Sequence, residues 1–490
     1  MYHALRILLL VCVVAALAVA ETTGQGGGSS WPANVRVNQD HDGNHQGETS
    51  IAVDPRDPLH LVALFWEVIA FDPQNPGTRQ KRLDWAWTRD GGRTWQSRRF
   101  ENGVYSSDPS IVADRQGNFY IETILVPHFP DQTDVSIGIL KSTDGGETFV
   151  KTADVGLNRV MDKPYMTIDP ASDALYLVWT DFGPHRGPNE IRIFYATSTD
   201  HGATFTPPRQ ISAEASFGSW TTAAVGPAGE IYVTWATTWY AQRIWFDRSL
   251  DGGRTWLSKD RRTTDIPSGG NRQGTFLGWP TVAVDRSGGP HHGRVYVAWP
   301  RYTSGIADVE LAWSDDRGDH WSQPVQVDDV EVAGDSHNLA WVVVDDRGRV
   351  YVTYRLLRPD PGGALRGEYL ATSTDGGATF GPSIRISDGI YPNQIFNGDY
   401  DEPAVAGNTL HAIWADARFG DNDVFTQSID LDDFDEDGVL NDGDLDGQYA
   451  DHPCTGGSTT HCDDNCPGTP NADQRDGDHD GVGDACDATP

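Results

Sequence analysis

Along most of the chain, short apolar and aromatic runs alternate with clusters of Gly, Asp, Asn and Pro. Long apolar periods suited to helices are missing, and runs bounded by turn formers predict strands joined by tight turns. One unit shows the order: Pro164–Asp169 is a first strand, Ala174–Trp179 a second and Ile191–Thr197 a third, with a fourth after a short polar phrase. Similar units start near Glu48, Asp108, Lys163, Trp220, Trp279 and Leu339. A seventh begins at Glu402 and has three strands, the last over Asp423–Ile429. Its missing fourth strand is expected near the N-terminus, because Trp31–Val37 reads like the stretches Trp321–Val327 and Phe380–Ile386. Joining the two ends closes a ring and leaves no long sheet edge open. The expectation is an all-β propeller of seven blades closed by the N-terminal strand, with six blades as the alternative.

The phrase between third and fourth strands recurs six times, at Thr88–Trp95, Ser142–Phe149, Ser198–Phe205, Ser249–Trp256, Ser314–Trp321 and Ser373–Phe380. Five copies fit Ser/Thr-x-Asp-x-Gly-x-Thr-Trp/Phe; the copy at Ser314 carries His320 in place of Thr. Ser/Thr and Asp side chains bond nearby backbone amides, and Gly supplies the positive φ that a tight turn needs. The closing ring is expected to bury itself between neighbouring sheets. This phrase is the Asp box, and residues 31–430 resemble the sialidase-like, BNR-repeat propeller proteins. The resemblance implies boxes on outer turns, far from the ligand-binding end, so their Asp residues are read as structural. True sialidases also use an arginine triad, a Tyr–Glu nucleophile pair and an Asp acid/base. The first of those arginines usually sits in Phe/Tyr-Arg-Ile-Pro, a motif this chain lacks; Arg36 lies in Val-Arg-Val-Asn, read as an outer strand.

The ends change the picture. Arg6 precedes an apolar run, Ile7–Ala20, that closes on Ala18-Val19-Ala20, which reads as a signal peptide over 1–20 cut near Glu21. The run is short for a membrane span, and a flexible linker over 21–30 follows it. The expected protein is secreted or at the cell surface, with no membrane span after cleavage. Net charge is −34, and the 17 Asp, one Glu and one Arg of residues 430–490 supply half of it. So acidic a chain argues against a nucleic-acid partner, whose phosphates attract Lys and Arg. Cys12 lies in the leader; Cys454, Cys462, Cys466 and Cys486 lie in the tail. Four cysteines in an exported segment fit two disulfides in three possible pairings, and sequence neighbours suggest Cys454–Cys462 and Cys466–Cys486.

In a propeller, the start of each innermost strand and the loop after the second strand line one mouth of the central channel. Aligning the units places Glu48, Asp108, Lys163, Trp279 and Glu402 there, with Asp162 one residue before Lys163. The loops add Asp181, Arg301, Asp416 and Arg418. Carboxylates, a few cations and Trp rings suit sugars, because rings stack on aromatics and carboxylates bind hydroxyls. Trp179, Trp235, Trp299 and Trp414 share one mid-unit register and are read as blade packing. The stretch Asp40–Glu48, rich in oxygen-bearing residues, is read as a polar loop rather than a cation site.

Spacing is most specific in the tail, 431–490. Asp476, Asp478, Asp480, Val482, Asp484 and Asp487 stand at loop positions 1, 3, 5, 7, 9 and 12, with Gly481 at 6. That is the ligand order by which a loop wraps calcium, Val482 through its carbonyl. Asp433, Asp435, Asp437, Val439, Asn441 and Asp444 repeat it, and Asp442, Asp444 and Asp446 start an overlapping copy. The stretch from Asp464 to Asp487 resembles the thrombospondin type 3 repeat, which implies several calcium ions wrapped by a disulfide-linked, helix-poor chain. The functional expectation is a secreted, calcium-binding propeller that recognises an extracellular glycan or glycoprotein. An exo-glycosidase and a non-catalytic adhesion scaffold are the alternatives; the sequence does not set the oligomeric state.

Overall fold

The computed structural model describes residues 33–487, apart from 41, 71–79, 101–104, 129–134, 158, 184–190, 214–217, 238–243, 265–278, 304–305, 330–331, 333, 362, 394–397, 436 and 445–451. The expected leader (1–20), linker (21–30) and Asp446 lie outside the described residues. The strands form seven sheets, the blades of a propeller, antiparallel except where Asp401–Glu402 adds a parallel pair to the first. Their inner strands are Gln46–Asp54, Tyr105–Ala113, Met161–Ile168, Gly218–Val225, Thr281–Val284, Ser336–Val344 and Ala404–Ala406. The seventh blade continues through Thr409–Asp416 and Asp423–Asp430, and its outer strand is Val35–Arg36 from the other end of the chain. Val35 pairs with Thr426 and Arg36 with Phe425. Asn34 strengthens the closure, donating to the Ile386 carbonyl (3.0 Å) and to Gln427 (2.9 Å). The ring closes as the sequence predicts, with seven blades.

The recurring phrases close turns on the face opposite the inner-strand starts. In the second blade Ser142 Oγ donates to Asp144 (2.7 Å), and Asp144 accepts the Thr148 amide (2.9 Å). Gly145 and Gly146 adopt φ of 78° and 83°, which only glycine takes without strain. Closing rings pack edge-on against an aromatic of the preceding blade: Phe149 on Trp85, Trp256 on Tyr195, Trp321 on Phe246. Trp179, Trp235, Trp299 and Trp414 are buried among the blades, as their shared register predicts.

The inner strands carry a repeated irregularity at their starts. Glu48, Asp108, Lys163, Trp220 and Leu339 all have positive φ, between 47° and 65°, where non-glycine residues are rare. Each stands where the pairing register of its strand shifts. A bulge re-aims the side chain it carries, and here it does so blade after blade at one end of the ring. The seventh blade differs from the sequence alignment. Thr49 pairs with Asp401 and Ser50 with Glu402, so the ladder sets Tyr400 beside Glu48 and leaves Glu402 two residues deeper. Pro403 separates Asp401–Glu402 from Ala404–Ala406 and breaks the strand that the alignment treated as continuous.

The tail has no helix and no strand among its described residues. Both disulfides join sequence neighbours, Cys454–Cys462 and Cys466–Cys486. The tail is fastened to the propeller at its root: Leu431 and Phe434 are buried in the cluster of the seventh blade, and Arg347 and Arg349 both hold Asp432.

Candidate functional site

Side chains from six of the seven blades meet at one point, which places it on the ring axis. Ser110, Lys163, Tyr165, Trp220, Trp279, Trp341 and Tyr400 line a cavity of about 20 Å³, room for little more than one water. Trp220 and Trp279 are stacked with centroids 4.3 Å apart, and Tyr165 and Tyr400 flank Trp341. The axis is therefore narrowed by aromatic rings, and a ligand larger than water would meet it at the mouth.

Beside this aromatic half lies a charged half. Lys163 Nζ touches Asp108 and lies 3.1 Å from Glu48 Oε1 and 2.8 Å from Asp399 Oδ2. Its ammonium also faces the rings of Trp279 and Tyr400, at 5.5 and 5.6 Å. Lys81 stands 3.8 Å from Glu48 and 4.2 Å above the Trp66 ring. Asp162 accepts the Lys163 amide (3.1 Å). Four carboxylates thus share two lysines in a buried setting, and their protonation divides. Burial, then the nearby Asp108, pushes the Asp162 carboxyl up to about 7, and the same causes raise Glu48. Burial works on Asp108 too, but Lys163 and Lys81 outweigh it and hold that carboxyl low.

One layer deeper, Glu402 accepts hydrogen bonds from Ser50 Oγ (2.6 Å) and Tyr165 Oη (2.7 Å). Burial pushes Glu402 up to about 7 and, with Glu402 beside it, drives the Tyr165 hydroxyl well above its usual range. Glu122 is fully buried nearby, and burial raises it strongly.

Of the residues expected at the mouth, Glu48, Asp108, Asp162, Lys163 and Trp279 come together. Glu402 lies one layer deeper with Tyr165, and the remaining four form ion pairs outside this cluster. Asp181 is held by Arg159, Arg301 binds Glu310 (3.0 Å), and Arg418 grips Asp416 through two nitrogens while reaching Asp388. Sequence reasoning missed Lys81, Asp399, Tyr165 and Tyr400. Asp399 precedes Tyr400 as Asp162 precedes Lys163, so a correct seventh register would have found it. Arginines also meet near the mouth: Arg355 binds Glu368 (3.2 Å) and Asp401, and Arg366 binds Glu368 (2.6 Å), all buried. The Asp40 carboxylate does approach Glu67 and Asp84, but Arg82 contacts both of the latter and Arg99 lies beside them, which makes an ionic network.

In the tail, the carboxylates of Asp433, Asp435 and Asp437 converge, as do those of Asp476, Asp478 and Asp480. The two loops are wound alike. Gly438 N donates to Asp433 and Gly481 N to Asp476, and Val439 N and Val482 N donate to Asp437 and Asp480. A third group joins Asp442 and Asp444 to Asp463, which sequence spacing did not single out. Burial and neighbouring carboxylates push Asp435 up to about 8 and Asp464 up to about 6. Asp435 Oδ2 and Asp464 Oδ2 are buried without a hydrogen-bond partner, so the donor set fits a hard divalent cation. Asp484 binds the Gly477 amide (2.6 Å) in this structure.

No protein-family model matches the chain, and no curated protein matches it. Among solved structures, it is similar to a mutant α-L-arabinofuranosidase of Fusarium graminearum in complex with an iminosugar inhibitor, at 13% identity and a TM-score of 0.48, covering 82% of this chain and 99% of that one. A Penicillium chrysogenum α-L-arabinanase complexed with arabinobiose gives 12% identity and 0.48, covering 83% and 99%. A Hadza microbial sialidase gives 15% and 0.43, covering 72% and 74%. The seven-bladed assignment rests on this chain's own strand ladders.

Proposed function

We propose that the protein is an exported carbohydrate-binding propeller whose ligand meets the axial mouth end-on. The observation that carries this reading is the juxtaposition of the stacked Trp220–Trp279 pair with the carboxylates around Lys163. Sugar rings present an apolar face that stacks on indole and hydroxyls that donate to carboxylates. Two disulfides in the tail fit an oxidising compartment outside the cytoplasm. No helix among the described residues is long and apolar enough to cross a membrane. The tail is proposed to hold calcium through Asp433, Asp435, Asp437, Asp476, Asp478 and Asp480, which bring hard oxygen donors into range of one another.

A hydrolytic reading has one specific support, the divided protonation of the mouth. Asp162 keeps a proton near neutral pH while Asp108 stays ionised, the split a glycosidase uses for its acid and its base or nucleophile. A sialidase-type reading is weaker. Arg355 and Arg366 are already engaged by Glu368 and Asp401, and the raised Tyr165 hydroxyl opposes its use as a nucleophile.

The test is calorimetric titration with neutral oligosaccharides, beside a fluorogenic glycoside panel. Binding that quenches tryptophan emission and weakens in Trp220→Ala is the expected result. Absence of binding to every neutral and charged glycan tried would overturn the proposal.

A further inference from the structure

We infer that the axial mouth selects a cationic glycan, one carrying free amino groups, over its neutral or anionic counterparts. The inference rests on the carbohydrate reading above and concerns which sugar that site takes. A primary ammonium has three N–H donors, and those of Lys163 face three carboxylates, Glu48, Asp108 and Asp399. None is left for a ligand's carboxylate or sulfate. Lys81 is likewise drawn between Glu48 and the Trp66 ring. The arginine pair in the sixth blade is buried and faces Glu368 and Asp401.

The acceptors are in the opposite condition. Glu48, Asp108 and Asp399 surround two lysines, and beside them Asp162 carries a proton near neutral pH that a bound ammonium would displace. The cluster therefore offers acceptors and no spare cation to an anionic ligand. Among the described residues, Asp162 accepts one hydrogen bond, from a backbone amide, and Asp399 binds only Lys163. Both are partly exposed, Asp399 by 17%. They stand beside Lys163, whose ammonium faces the Trp279 indole, and a cation over such a face gains further attraction. Lys163 shows the arrangement that suits an ammonium here: carboxylates on one side, Trp279 and Tyr400 on the other. A sugar amine at the mouth would repeat it, with Asp399 as acceptor, Asp162 joining as its proton is displaced, and Trp220 as platform.

The experiment compares three oligomers of equal length by calorimetry at pH 6: β-1,4-linked glucosamine, its fully N-acetylated form, and an oligogalacturonate. The expected order is glucosamine oligomer first, roughly tenfold tighter than the acetylated one, a difference of about 1.4 kcal/mol, with the galacturonate weakest. Asp399→Asn should bring the first two affinities together, with near-UV circular dichroism confirming the fold. Asp162→Asn, which at pH 6 replaces a largely protonated carboxyl, should narrow the gap less. Equal affinity of amine and acetamide in the unmodified protein would overturn the inference and leave the carbohydrate reading standing. Tightest binding of the galacturonate would do the same. If none of the three binds, and no other glycan does, both fail together.

Discussion

Lys163 in the third blade and Asp399 at the entry to the seventh meet across the ring axis, Nζ to Oδ2 at 2.8 Å. The same ammonium serves Asp108 in the second blade and Glu48 in the first, so one side chain ties four blades together. Taking such a cation away leaves buried carboxylates uncompensated, which typically costs about 3–5 kcal/mol. Lys163→Met should therefore lower the melting temperature sharply. Protonation relieves the repulsion, so the loss should be smaller at pH 5 than at pH 8. Melting curves at the two pH values check this, and an equal loss at both would count against a mainly electrostatic role.

Glu402 gives a pH dependence with a definite sign. Its carboxyl is pushed up to about 7 in the folded chain, against roughly 4.3 in an unfolded one. Between those values the folded state binds more protons than the unfolded state, so stability falls as pH rises and levels off above about 7. Glu402→Gln keeps the shape and removes the titration. Across pH 5 to 8 the variant should lose less stability than the parent, by about 2 kcal/mol. Urea midpoints at pH 5 and pH 8 measure it; an unchanged pH slope would show that Glu402 does not carry the effect.

Asp144 should separate architecture from function. It accepts from Ser142 and from the Thr148 amide at the end of the ring opposite the mouth. Asp144→Ala removes these bonds at a half-exposed turn and should cost about 1–2 kcal/mol. Glycan affinity should not move, because the turn touches nothing at the axis. A variant that kept its stability but lost binding would contradict the structural assignment of these turns.

The architecture was legible because the strands repeat a turn phrase that needs specific side chains, such as Ser142, Asp144 and Gly146. The N-terminal closure was legible because Val35–Arg36 copies an outer strand. The mouth was only half legible. Its bulges fall on Glu48, Lys163 and Trp220, and no glycine marks the positive φ there; the surrounding blades impose it. In the seventh blade Glu402 resembled Glu48 chemically, while the ladder, broken at Pro403, sets Tyr400 beside it. Asp399 could not be seen without that register, since its partner Lys163 is remote in the chain.

The tail should act on the propeller when it is loaded with calcium. Its root is part of the seventh blade: Phe434 is buried with Leu410, Trp414 and Phe425. Further along, Gly468 lies so close to the sixth blade that an added Cβ would stand 2.7 Å from Ile384 Cγ2. Asp433 and Asp435 flank Phe434 in sequence, so an ion held by them and Asp437 favours the docked root. Binding to the folded state alone adds about 2.7 kcal/mol at a hundredfold excess over Kd. Calcium should therefore raise the melting temperature of the whole chain and slow proteolysis of the tail, and a chelator should reverse both. Asp435→Ala should weaken the response, and Gly468→Ala should speed proteolysis even with calcium present, because it displaces the tail from Ile384. Terbium luminescence reports the ion directly. If terbium binds but the melting temperature does not change, the tail is an independent module, and its docking to the seventh blade is not linked to the ion.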